Sequence, residues 1–196
     1  ARGLDESVER ILCAKGRWIH PAEPQLAGRA EDFAAAARMA REAVAAVRGK
    51  ACRASEKTFF CGCADYRMTQ ASNADPEAKA FPEYMGVHFG AKFAVCSKDP
   101  DEKEIAELAR CADGAENIIF SSCNAHLFRG QLALAAALAR KGVPMTVAAL
   151  RNPYDLPLMP ENTALLAAFD YSRDSLAALA DVFSGGDCRG VMPAAL

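Results

Sequence analysis

From Thr58 onward the chain alternates between short, almost purely apolar runs and helical stretches of about ten to fifteen residues, the spacing of βαβ units. Thr58-Phe-Phe-Cys-Gly-Cys63, Phe93-Ala-Val-Cys96, Asn117-Ile-Ile-Phe-Ser121 and Met145 to Leu150 lack polar alternation, as expected of strands covered on both faces. Between them, Ala80 to Phe89, the stretch after Asp99 to near Ala112, and Leu127 to Lys141 read as helices. Thr163 to Phe169 is ambiguous alone. Pro160 and Asn162 before it, and a new helix opened by Ser172 and Ser175 after it, make it a fifth strand. That last helix carries Leu176, Leu179 and Phe183 and ends at Gly185-Gly186. Strands separated by helices build a parallel sheet. The fold class is therefore α/β: a doubly wound, flavodoxin-like three-layer sandwich of about five mostly parallel strands.

The punctuation agrees. Asp99-Pro100-Asp101-Glu102 reads as a helix start, with Asp99 as cap, Pro100 in the first turn and Glu102 completing a capping box. Gly142 closes the Leu/Ala helix in the left-handed conformation. Upstream, Asp5 to Lys15 is an amphipathic helix with Val8, Ile11 and Leu12 on one face, ended by Gly16. Residues 18–28 form a proline-containing linker. Glu31 to Val47 reads as one long alanine-rich helix with Phe33, Ala37, Ala40, Val44 and Val47 along a stripe. Val191 to Leu196 is an extended tail. The expected division is residues 1–28, helix plus linker, and 29–196, the sandwich, which is long enough to bury an ordinary core.

Several function classes drop out. The formal net charge is -2 without a basic run, so no nucleic-acid partner is expected. No apolar stretch approaches the ~20 residues of a membrane span, and the charged N-terminus lacks the apolar core of a signal peptide. The chain opens at Ala1, partway into a helix, so it reads as a piece of a longer protein, whose own targeting signal would lie elsewhere. The eight cysteines are scattered on strands and helices, which favours buried thiols and a reducing, cytoplasmic setting. The longer protein's compartment stays open. Cys61 and Cys63 with Cys123 and His126 can bring soft ligands to neighbouring strand ends, although paired Cys-x-x-Cys spacing is absent. No metal is assigned. Neither Gly-x-Gly-x-x-Gly nor Gly-x-x-x-x-Gly-Lys-Ser/Thr follows a strand, so no nucleotide cofactor is expected. A Gly-x-Ser-x-Gly elbow is missing too.

What remains is polar residues where the strands end, the edge at which open α/β sheets meet ligands and partners. Asp65, Tyr66, Arg67, Thr69, Gln70, Ser72 and Asn73 follow the first strand. Ser122, Asn124 and His126 follow the third; Arg151, Asn152, Tyr154 and Asp155 the fourth; Asp170, Tyr171 and Arg173 the fifth. In a parallel sheet they emerge on one edge and can line a sugar-binding cleft. Each also has a structural alternative. Arg151 and Asp155 can pair with each other, Asn152 is held extended before Pro153, and Asp170 and Ser172 can cap the last helix. His126 reads as a hydrogen-bonding residue at a helix start, since no nucleophile pairs with it.

Val147 to Pro157, led in by Pro144-Met-Thr, carries Ala149-Leu-Arg-Asn-Pro-Tyr-Asp-Leu156. This resembles a signature of the C-terminal α/β sandwich domain of glycoside hydrolase family three, in its β-N-acetylhexosaminidase branch. Leu4-Asp-Glu-Ser-Val-Glu-Arg-Ile-Leu12 with Lys15 resembles the last helix of that family's N-terminal (β/α)8 barrel. Phe169 to Leu179 resembles its penultimate strand and helix, and Gly190-Val-Met-Pro193 its closing segment.

The resemblance implies an accessory domain that packs on the catalytic barrel and shapes the sugar cleft. Its partners are that barrel and the carbohydrate substrate, and Arg151, Asn152, Tyr154, Asp155, Asp65 and Arg67 face substrate or barrel. In this family the nucleophilic aspartate lies on the barrel. So does the His–Asp acid/base dyad of the N-acetylglucosaminidase branch. Neither motif is present here, and Glu77, Glu83 and Glu161 match no acid/base motif, so no catalytic residue is assigned. Retaining hydrolysis by two carboxyl groups needs them about 5 Å apart, and nothing in the sequence pairs Asp65, Asp155 and Asp170. Two other readings stand beside this one: a stand-alone carbohydrate or small-molecule binding module of flavodoxin-like fold, and a redox or metal protein built on Cys61, Cys63 and Cys123.

Overall fold

Strands that are apolar on both faces need a layer of helices on each side, and the computed structural model has that arrangement. It describes residues 2–19, 28–64 and 79–193. The elements are α1 (Arg2–Trp18), α2 (Ala30–Ala43), β1 (Ala45–Arg48), β2 (Thr58–Cys63), α3 (Phe81–Phe89), β3 (Lys92–Cys96), α4 (Glu102–Cys111), β4 (Asn117–Ser122), α5 (Arg129–Ala139), β5 (Met145–Ala149), a 3-10 turn (Pro153–Leu158), β6 (Ala164–Ala167) and α6 (Arg173–Phe183). The chain divides into two units, Ala1–Phe33 and Ala34–Leu196, with α2 running through the division. In the first unit, α1 runs on past Gly16 to Trp18, beyond the stop expected there, and Val8, Ile11 and Leu12 are exposed. The linker assigned to residues 18–28 falls mostly outside the described residues.

In the second unit, the sheet order is β1-β6-β5-β4-β2-β3. The pairs β2–β3, β2–β4, β4–β5 and β5–β6 are parallel, and without β1 this is the flavodoxin order. Phe59, Ile118, Phe120 and Val147 face Leu108 of α4 and Leu134 and Leu138 of α5 in one core layer. Phe60, Ile119, Ala148 and Leu166 face Phe81 and Met85 of α3 and Leu176, Leu179 and Phe183 of α6 in the other.

The sheet has six strands among the described residues where about five were expected. The extra one is β1, read from sequence as the end of the alanine-rich helix. That helix stops at Ala43, and Ala45 and Ala46 pair antiparallel with Ala167 and Leu166. Arg48 secures the strand: its Nε donates to the Thr163 carbonyl (3.0 Å) and its guanidinium to the Pro160 carbonyl and to Thr163 Oγ1. Gly190, just before the expected tail, bridges to Ala45 in parallel. At the other edge, β3 is mostly exposed, Phe93 and Val95 included. β3 is the edge strand, with a sheet neighbour on one side alone among the described residues, and departs there from the covering on both faces that its apolar run predicts.

The cap of α4 is Asp101, not Asp99. Asp101 Oδ1 accepts from the Glu104 amide at 2.8 Å, while Asp99 accepts from the Gly130 amide at the start of α5. Glu104, not Glu102, reaches back, to the Ser97 amide. Asp101→Ala is therefore expected to cost about 1 kcal/mol, the usual loss for an N-cap. Thermal unfolding followed by circular dichroism should show a drop of roughly 2–4 °C for a domain of this size, and Asp99→Ala should leave α4 unaffected. The left-handed turn expected at Gly142 is present, with φ +74°.

Candidate functional site

The topology decides where the strand-end loops diverge. From β2 the chain crosses to β3 on one side, then returns to β4 on the other, so the carboxyl ends of β2 and β4 form the switch point at which a crevice opens. The loop after β2, with Asp65 and Arg67, lies outside the described residues. The loops after β4, β5 and β6 are described.

The β4 exit is pinned from within. Gln131, fully buried on α5, accepts from the Cys123 amide (3.0 Å) and donates to the Cys123 and Lys98 carbonyls. Asn124 then turns the chain with φ +55°, a conformation asparagine tolerates better than most residues. Its Oδ1 accepts from Nδ2 of Asn152 at 2.8 Å, joining the β4 loop to the β5 loop.

At the β5 exit, Asn152 is extended (φ -88°, ψ 133°), as a residue before proline must be. Pro153 opens the 3-10 turn, Leu156 anchors it in the core and Asp155 is fully buried. Asp155 does not pair with Arg151, the alternative the sequence suggested. Its Oδ1 lies 2.7 Å from Nδ1 of His126 and also accepts from the His126 backbone amide at 3.0 Å. One carboxylate oxygen thus ties both the ring and the backbone of His126 to the β5 loop. The Tyr154 ring stands nearly perpendicular to that ring, centroids 6.2 Å apart and planes at 83°. Arg151 lies over the ring of Tyr171, 5.3 Å from guanidinium carbon to centroid, a cation–π contact between the β5 and β6 loops. Asp155 Oδ2 and Arg151 Nη1 are buried without a hydrogen-bond partner among the described residues.

The β6 exit is structural. Phe169 has φ +61°, and Ser172 caps α6 by accepting from the Ser175 amide. Asp170 accepts from Ser175 Oγ at 3.1 Å. Burial pushes the Asp170 carboxyl up, but hydrogen bonds from Ser172, the Tyr171 amide, Ser175 and the Ser172 amide outweigh this and hold it below its usual value.

Of the candidate residues, Arg151, Asn152, Tyr154 and Asp155 share one described loop, and Asn124 and His126 join them from the next strand. His126 was underrated in the sequence. Its partner lies 29 positions away, and short-range spacing carries no such signal. The cysteine cluster reads differently. Cys61, Cys63, Cys96 and Cys123 form no disulfide and are buried in one core layer. The Cys63 thiol is pushed up by its hydrogen bond with Cys123 and by burial, and that of Cys96 by its hydrogen bond with Cys61 and by burial. The thiolate is the nucleophilic and metal-binding form, so Cys63 and Cys96 are inert core groups. Among the described residues, no three His, Cys, Asp or Glu side chains are grouped to hold a metal ion. No helix among them is long and apolar enough to cross a membrane.

No family model matches the sequence, and no curated protein matches it. Solved structures do match. The fold superimposes on a glycoside hydrolase family 3 β-N-acetylglucosaminidase from Paenibacillus sp. str. FPU-7 with a TM-score of 0.79 at 22% identity, over 96% of this chain and 38% of that one. It superimposes on a β-glucosidase from Listeria innocua with a TM-score of 0.68 at 14% identity, over 93% of this chain and 30% of that one. A fungal multi-domain family 3 β-N-acetylglucosaminidase matches with a TM-score of 0.65 at 14% identity, over 92% and 22%. The chain thus has the fold of one region of these glycosidases and spans 22–38% of their lengths.

Proposed function

We propose that this chain is the second, α/β sandwich domain of a family-three glycoside hydrolase, which packs on the catalytic barrel of a longer protein and forms one wall of its sugar cleft. The observation that carries this reading is the β5 exit. The Arg151-Asn-Pro-Tyr-Asp-Leu156 run that resembles the family's signature is an ordered strand-end loop beside the switch point, cross-tied to its neighbours by Asn124–Asn152, His126–Asp155 and Arg151–Tyr171. The fold likeness over nearly the whole chain supports it, as does the small share of each matched enzyme that the chain spans. In this reading residues 1–28 are the last barrel helix and linker, and the exposed Val8, Ile11 and Leu12 turn toward the barrel. The parent is a β-N-acetylhexosaminidase, acting on O-glycosidic bonds of N-acetylglucosamine-type sugars. This is supported by the branch that the Ala149 to Leu156 motif resembles.

The test is complementation. The region encoded upstream is expressed as a separate chain and mixed with this one. A complex should form, and hydrolysis of an aryl N-acetyl-β-glucosaminide should require both chains. Arg151→Ala should weaken the complex about tenfold, roughly 1.4 kcal/mol, by freeing the β5 loop from Tyr171. Hydrolysis by this chain alone, with contaminants controlled for, would overturn the reading.

A further inference from the structure

We propose that the β3 edge of the sheet is a dimerisation surface, where a second copy of this chain adds its own β3 antiparallel about a two-fold axis at Ala94. An edge strand presents a row of backbone N–H and C=O groups open to pairing with another chain. The two edges of this sheet differ in that respect. β1 is irregular in register between Ala46 and Arg48, and Gly190 bridges to Ala45. β3 is a regular five-residue strand in unbroken register with β2. Among the described residues its backbone pairs with β2 alone. Charges, proline or a bulge usually protect such an edge. Here the one charge is Lys92, at the start of the strand, and Phe93 and Val95 are 43% and 42% exposed.

The order of side chains selects a copy of the same strand. Successive residues of a strand alternate between faces. Phe93 and Val95 lie on the α3 face, where a Cβ on Gly86 would meet the Phe93 ring. Lys92, Ala94 and Cys96 lie on the α4 face, where Ala94 and Cys96 join the core layer of Leu108. An antiparallel pair centred on Ala94 sets all five residues opposite one another. Phe93 then meets the partner's Val95 on one face, and Lys92 meets the partner's Cys96 on the other. Aromatic and β-branched side chains are a stabilising cross-strand pair, and the two-fold axis makes this one twice. A register centred on a neighbouring residue shortens the overlap.

Charge favours the same arrangement. Glu104 of α4 folds back onto the end of β3, where its carboxylate accepts from the Ser97 amide at 2.6 Å and the Ser97 hydroxyl at 2.5 Å. A negative charge is thereby held next to Cys96, on the α4 face. Lys92 is exposed and in no ion pair among the described residues. Set across from the partner's Cys96, it comes alongside the partner's Glu104, and symmetry satisfies the reciprocal pair. Five residues from each copy make a small interface, so the dimer is of the weak class.

The test is sedimentation velocity on the full chain between about 1 and 500 μM, to bracket a dissociation constant of about 10–100 μM. Hydrogen exchange across that range should show the β3 amides that β2 does not engage slowing as dimer forms. Val95→Lys puts a second charge on the edge and should weaken the dimer by about tenfold or more. Lys92→Glu should weaken it by about threefold or more at low salt and reverse the salt response, because salt screens an attraction in the native chain and a repulsion in the variant. Should Val95→Lys fail to fold, the exposed Lys92→Glu decides the matter. A chain that stays monomeric to about 500 μM overturns the proposal. So does a dimer that forms without slowing the β3 amides, or one that neither substitution weakens. Outward β3 amides that exchange slowly at every concentration overturn it too, since the chain itself then covers the edge.

Discussion

Asp155→Ala is expected to destabilise the chain by about 2–4 kcal/mol and to release the His126 ring. Two donors lose one charged acceptor at once, each such bond contributing about 1.5–3 kcal/mol. The His126 amide and ring are then left without a partner beside a cavity the size of a carboxyl group. One effect works the other way. A buried carboxylate with a bare Oδ2 carries a desolvation cost that alanine removes, and this keeps the net loss below the sum of both bonds. Asp155→Asn separates the contributions. Its side-chain oxygen can still accept both N–H groups, so it should lose only the charge, about 1 kcal/mol. Urea unfolding should show both variants as shifts in midpoint with an unchanged slope. Equal losses for Ala and Asn would mean that charge, not geometry, holds the loop.

Gly62→Ala should be at least as damaging, although it adds a single methyl group to an apolar strand. Gly62 lies on β2, between β3 and β4, and pairs with Ser121. A Cβ there would stand 1.9 Å from Ser121 Oγ and 2.8 Å from the Ser121 carbonyl oxygen. The hydroxyl can rotate away. The carbonyl is backbone of the neighbouring strand, so β2 and β4 must separate at the end where the site is built. Overpacking of a tight core costs about 1–3 kcal/mol, and forcing apart two interior strands puts this substitution at about 3 kcal/mol or above on the same scale. The Gly62→Ala/Ser121→Ala double variant removes the side-chain clash and keeps the backbone one, so it should recover less than half of the loss. Denaturant midpoints of the two single variants and the double variant measure this coupling. Full recovery would show that the strands need not move.

The carboxyl-edge site was legible in its first half. Arg151, Asn152, Tyr154 and Asp155 stand where an apolar run stops between two prolines, and the strand-end position alone marks them. Their partners were not legible. Arg151 and Asp155 look paired in the sequence because they are near neighbours of opposite charge. In the fold Arg151 faces Tyr171 and Asp155 faces His126, each on another strand's exit. The cap of α4 fails for a related reason. Asp99 and Asp101 both precede a helix, and only the approach of α5, which gives Asp99 the Gly130 amide, leaves Asp101 as the cap.

Local chemistry determined the α/β class, the five core strands, the helices between them and the edge on which function should lie. Burial on both faces writes an unbroken apolar run into a strand, and capping residues sit next to the helices they start, so both signals are short in range. Only the tertiary structure decided the rest. Ala45-Ala-Val-Arg48 continues a helix by propensity, and becomes a strand because β6 offers an open edge and Arg48 finds the Pro160 and Thr163 carbonyls. His126 acquires Asp155 as its partner because strand order sets β4 beside β5 and their loops meet. Pairings of this kind join residues far apart in the chain, and their free energy comes from shared burial and hydrogen bonding that no local stretch of sequence contains.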